Sequence, residues 1–120
     1  MSRLRAIALI TSLVVLSGGT TLLAGQRAEA ETQVEFGIEV ARRDLWREAL
    51  YRWQRAVEID PTYAAAFNNL AIAYERLGEF DKARESYERA VELEPDNLMI
   101  LQNYDLFREI NDRTSSSDDS

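Results

Sequence analysis

The chain has 120 residues, no cysteine, no histidine and a formal net charge of −7. The two absences exclude disulfide frameworks, thiolate chemistry, and the commonest general base and metal ligand. The acidic balance argues against a surface for phosphate backbones, so no nucleic-acid partner is expected, and the length is that of one small domain.

Residues 1–25 read MSRLRAIALITSLVVLSGGTTLLAG, with Arg3 and Arg5 at the start and no charge from Ala6 to Ala24. A helix rising about 1.5 Å per residue over that run would nearly cross a hydrocarbon core of about 30 Å. Two readings are open. In one, residues 1–30 are a secretory signal, cut after the small-x-small run Ala28-Glu29-Ala30. In the other they are a retained N-terminal hydrophobic helix that tethers the protein to a membrane through residues 6–24. In both, the basic start stays inside and the rest faces away from the cytoplasm, in a bacterial periplasm or outside the cell. Leu16-Ser17-Gly18 has the look of a lipoprotein signal, but Gly19 stands where the lipid-bearing Cys would be.

From residue 31 the apolar spacing becomes helical, and helices are predicted over 31–43, 45–59, 62–77, 80–93 and 97–110. Phe67, Leu70, Ala71 and Tyr74 recur at i, i+3, i+4 and i+7 and share one face. Gly78 supplies a tight turn, and Asp44 holds the matching place earlier in the chain. Pro95 ends the fourth helix. Asp60-Pro61 and Asp96 are expected to start the helices that follow them. Residues 30–63 and 64–97 align without a gap: Arg55-Ala56-Val57-Glu58 falls on Arg89-Ala90-Val91-Glu92, Pro61 on Pro95, Ala49 on Ala83 and Ile38 on Ile72. Residues 98–112 repeat only the first half of the unit, with Leu101 and Tyr104 falling on Phe67 and Leu70. They are expected to form a capping helix whose outer side carries Asp105, Arg108 and Asn111. Residues 113–120, RTSSSDDS, have no apolar member and are expected to be a disordered tail.

Phe67, Leu70, Ala71, Tyr74, Ala83, Tyr87, Ala90 and Pro95 stand in the order and at the steps of a known motif. This stretch resembles the tetratricopeptide repeat, a 34-residue helix hairpin. The resemblance implies an all-α fold, an α-solenoid of two hairpins (residues 31–63 and 64–97) with a C-terminal capping helix, preceded by the N-terminal hydrophobic helix. Arrays of this kind usually need about three units to bury enough core, so modest stability is expected unless a partner or self-association adds buried area.

The resemblance also implies a concave groove, lined by the first helix of each unit, that receives a peptide or helix of a protein partner. Carried over by position, its residues are Val34, Ile38 and Arg42, then Asn68, Asn69, Ile72 and Arg76, then Met99, Asn103 and Leu106. The expected groove has an apolar centre and a charged rim. Some family members grip the C-terminal carboxylate of chaperones with Lys, Asn and Arg. Here only Asn69 matches, and Val34, Ile38, Met99 and Asn103 fill the other places, so that activity is not expected. The sequence has no Gly-rich phosphate loop and no metal-ligand cluster, and its carboxylates stand among Arg and Lys on helix surfaces. A binding module without catalysis or cofactor is expected. The alternative is a membrane-anchored assembly factor acting as a homo-oligomer, with Tyr51 on the outer face as a second contact point.

Overall fold

In a computed structural model the backbone is described for residues 4–117 and the side chains for 19–113. Five helices follow one another: α1 (Leu4–Ala41), α2 (Trp46–Ile59), α3 (Ala64–Arg76), α4 (Phe80–Leu93) and α5 (Leu98–Ser117). α1 pairs with α2 and α3 with α4 as two hairpins stacked side by side, and α5 closes the open edge of the second.

Both hairpin turns use one chemistry. Asp44 and Gly78 take positive φ, 64° and 76°. At each turn the amide of the residue after the positive-φ position reaches back to a carbonyl five residues earlier, Leu45 to Val40 at 3.1 Å and Glu79 to Tyr74 at 2.9 Å. This pairing satisfies carbonyls that the helix end would otherwise leave orphaned. Asp44 also accepts a hydrogen bond from Trp46 Nε1 at 2.7 Å, a role that glycine could not fill.

Small residues set the packing distance. Ala49, Ala56, Ala71, Ala83 and Ala90 are all fully buried. Beside them stand Trp53 in the first hairpin and Tyr87 in the second, at equivalent positions and both buried. A Cβ on Gly37 would lie 2.3 Å from Trp53 Nε1. The bare backbone therefore lets the indole rest on α1 and donate to the Val34 carbonyl at 3.1 Å. Gln33 stands where the second repeat has Phe67, and its Oε1 is buried without a hydrogen-bond partner among the described residues.

Four features depart from the expectations. First, α1 does not begin at residue 31 but passes unbroken through the expected boundary. Ala30 is fully buried in the core, and Arg27 closes onto the next turn. Its Nε donates to Asp60 Oδ2 at 2.5 Å, its Nη2 donates to Thr62 Oγ1 at 3.3 Å, and its guanidinium lies 4.4 Å from the Tyr63 ring centre. A helix propagates cheaply once nucleated, and these contacts reward its continuation upstream. Among the described residues no helix is long and apolar enough to cross a membrane. The side chains of residues 6–18, which form most of the expected tether, lie outside the described residues.

Second, Asp60 does not cap α3, whose first turn has no side-chain cap. It builds the turn before the helix, accepting from the Thr62 amide at 3.0 Å and the Thr62 hydroxyl at 2.6 Å. Third, α5 is capped by Asn97, whose Oδ1 accepts from the Ile100 amide at 3.3 Å, and not by Asp96. Fourth, α5 runs on to Ser117 into the expected tail, with Arg113 and Glu109 paired across one turn. Residues 118–120 of that tail lie outside the described residues.

Candidate functional site

α1, α3 and α5 form the inner layer, and α2 and α4 the outer. The inner surface carries two adjoining hollows that share Ile72. The first, about 350 Å³, lies between the hairpins and is lined by Ile38, Ala41, Arg42, Trp46, Trp53, Asn69 and Ile72. The second, about 440 Å³, lies toward the cap and is lined by residues including Ile72, Glu75, Arg76, Asn103, Leu106 and Ile110.

Helix spacing explains this arrangement. Ile38 and Ile72 hold equivalent positions one repeat apart, both partly buried. Each packs against the core and also lines the groove. Arg42 directly follows α1, and Arg76 ends α3, where the carbonyl end of the helix favours a cation. The Arg76 guanidinium lies 5.0 Å from the Trp46 ring centre, and that indole is in turn tied to Asp44.

The second hollow has a polar floor. Tyr87 donates its hydroxyl hydrogen bond to Glu75 Oε2 at 2.5 Å. Burial, and next the hydrogen bond to Glu75, push the Tyr87 hydroxyl far above the usual phenol range. Asn103 Nδ2 donates to Asn68 Oδ1 at 3.1 Å, pinning α5 to α3. Behind them the rings of Tyr87, Tyr104 and Phe107 cluster, with centres 5.4–6.4 Å apart.

The expected groove residues therefore divide. Ile38, Arg42, Asn69 and Ile72 come together around the first hollow, and Arg76, Asn103 and Leu106 around the second. Met99 is exposed on α5. Val34 and Asn68 are a correction: they are 5% and 2% exposed and lie beneath the groove. The Val34 carbonyl accepts from the Trp53 indole, and Asn68 is occupied by Asn103. Asn103, although at the edge of a hollow, spends its amide on this same bond.

Trp46, Trp53 and Ile110 were not anticipated as groove residues. An aromatic at the equivalent positions Trp46 and Phe80 was the signal available for the first of them. The cap also departs from expectation. Its buried contacts are Ile100 and Phe107, while Met99, Leu106 and Ile110 form an exposed apolar stripe. Asn111, expected to face solvent, instead donates to the Phe107 carbonyl at 2.9 Å. Tyr51 is exposed on the outer face as expected, beside Phe36 with the Arg52 guanidinium 4.1 Å from the Phe36 ring centre. Among the described residues no group of His, Cys, Asp and Glu is placed to hold a metal ion.

Stacked antiparallel hairpins on this spacing define a helical-repeat scaffold for protein–protein interaction. Models of the tetratricopeptide repeat match residues 64–97 and 46–78, and the chain belongs to that family. An uncharacterised protein of Methanocaldococcus jannaschii is 33% identical over 66 residues, covering 55% of this chain and 77% of that protein. Photosystem I assembly protein Ycf3 of Rippkaea orientalis is 30% identical over 82 residues, covering 57% of this chain and 47% of that protein. The mouse protein O-mannosyl-transferase TMTC4 is 33% identical over 64 residues, but the chain spans only 9% of its length and 53% of this chain is covered. Among solved structures, MamA superposes with a TM-score of 0.65 at 29% identity, covering 71% of this chain and 50% of that one. The second tetratricopeptide domain of human RPAP3, solved in complex with an HSP70 peptide, gives a TM-score of 0.63 at 22% identity, with 68% of each chain covered.

Proposed function

We propose that the protein holds a segment of a partner protein in the groove formed by α1, α3 and α5, on the side of a membrane that faces away from the cytoplasm. The observation that carries the groove reading is the first hollow: an apolar floor of Ile38, Trp53 and Ile72, open to solvent, with Asn69 on its wall and Arg42 at its rim. A preformed surface of this kind loses little ordering entropy on binding. The fold shared with the peptide-bound RPAP3 domain supports a peptide segment as occupant. The location rests on Arg3 and Arg5 followed by the uncharged run to Ala24. Retention of the N-terminal segment is favoured over a cut after Ala30, because Arg27 and Ala30 contribute to the packed solenoid.

The test is selection of displayed random peptides on the full chain, repeated with Ile38→Arg combined with Ile72→Arg. The expected result is enrichment on the wild type that the double variant abolishes, with helical circular dichroism unchanged. Enrichment that survives the substitutions would reject the groove. Collapse of helicity would make these two residues core.

A second reading, an assembly factor working through self-association, is favoured by the exposed stripe Met99, Leu106 and Ile110 on α5. It requires a concentration-dependent dimer in sedimentation that Leu106→Glu disrupts.

A further inference from the structure

We infer that the groove selects a partner segment carrying a carboxylate beside a bulky apolar side chain. The inference rests on the groove reading above and deepens it by naming the chemistry of the occupant. Arg42 and Arg76 hold equivalent positions in successive repeats, so they form a two-rung ladder along one edge of the groove. Both are exposed. Among the described residues the one ion pair of Arg42 is with Glu39, at 3.6 Å, with side chains 73% and 55% exposed and the same carboxylate shared with Arg43. A pair of that geometry in water neutralises little. Arg76 lies against the Trp46 face, 5.0 Å from the ring centre, and makes no ion pair among the described residues. Glu75, its neighbour in sequence, already accepts from Tyr87.

Arg42 therefore stands at the rim of the apolar hollow, and Arg76 lines the adjoining one against Trp46 of the first hollow's wall, on a chain whose net charge is −7. A guanidinium and a carboxylate form paired, charge-assisted hydrogen bonds, whereas a lysine beside the anchor would meet like charge at the rim. The apolar floor takes the anchor side chain. Asn69, on the wall, has an amide able to pair with the segment's main chain. A second copy of this chain is a poorer occupant, because two chains of net charge −7 repel on approach.

The experiment uses random peptides of about 12 residues displayed on phage, long enough for two helical turns or an extended segment, selected on the full chain. Enriched peptides should share an Asp or Glu within a few residues of Leu, Ile, Met, Phe or Trp. A synthetic copy should bind Arg42→Gln combined with Arg76→Gln roughly tenfold or more weakly than wild type, with helicity unchanged. Changing the peptide's acid to its amide should weaken binding to wild type equally, and cause no further loss on the double Gln variant. Enriched peptides without an acid, or with an acid whose effect ignores the Arg substitutions, would overturn the inference. If such peptides still lose binding to Ile38→Arg with Ile72→Arg, the groove reading stands and only the acidic preference falls. Absence of any enrichment, or binding indifferent to both pairs, removes the groove reading as well. A concentration-dependent dimer abolished by the two Gln substitutions would assign the ladder to a second copy and overturn the inference.

Discussion

Gly37 carries no side chain because the indole of Trp53 occupies that space. Trp53 Nε1 donates to a carbonyl of α1, which requires the ring to lie on the helix backbone. Gly37→Ala places a methyl 2.3 Å from Nε1 and 2.7 Å from Cδ1, and neither atom is the end of a flexible chain. Alanine is the better helix former by about 0.5–1 kcal/mol, but overpacking costs about 1–3 kcal/mol, so the overpacking prevails. The variant is expected to melt several degrees lower and to show altered tryptophan fluorescence. An unchanged Tm would mean that the indole moves aside at no cost. In the second repeat Ala71 faces Tyr87, so the ring there leaves room for one methyl. The sequence shows the small residue at both places; it does not show that one indole needs glycine, because that depends on where the ring lies.

At the scale of the elements, the helices and turns follow from spacing, and their ends do not. α2 to α4 begin and end within about two residues of expectation, since apolar periodicity and the turns at Asp44 and Gly78 act locally. The start of α1 was not legible, because what prolongs it is the clasp of Arg27 on a turn more than thirty residues away. That clasp is sensitive to acid. Burial acts to raise the Asp60 carboxyl, but hydrogen bonds from Thr62 and Arg27 outweigh it and hold the group below its ordinary value. A depressed carboxylate stabilises the fold above its unfolded pKa of about 3.9, and the contribution is lost as pH falls through the lower folded value. Asp60→Asn should therefore be about 1 kcal/mol less stable than wild type at pH 7. Denaturant titrations should show that gap closing below about pH 4. A gap independent of pH would mean the residue acts through turn geometry and not through its charge. The cap was legible in outline only. Its position as a half repeat could be read, but helix phase decides which residues face inward: Ile100 and Phe107 are buried, and Leu101 and Tyr104 are partly so.

For the molecule as a whole, two hairpins and a cap bring residues from three helices onto one concave face. Ile38 and Ile72 could be placed there from the sequence because equivalent positions in a repeat share surroundings. Val34 could not: it is 5% exposed and belongs to the core of the first hairpin, where its carbonyl accepts from the Trp53 indole. Asn68 was hidden for a different reason: its partner Asn103 belongs to the cap, and only the stacking shows that they meet. The measurement that bears most directly on the groove is amide chemical-shift mapping of the ¹⁵N-labelled full chain titrated with a selected peptide. The expected result is shifts concentrated at Ile38, Asn69, Ile72 and Leu106, on α1, α3 and α5. Shifts centred instead on Tyr51, Arg55, Glu85 and Glu92, on α2 and α4, would place the partner on the outer layer and contradict the account.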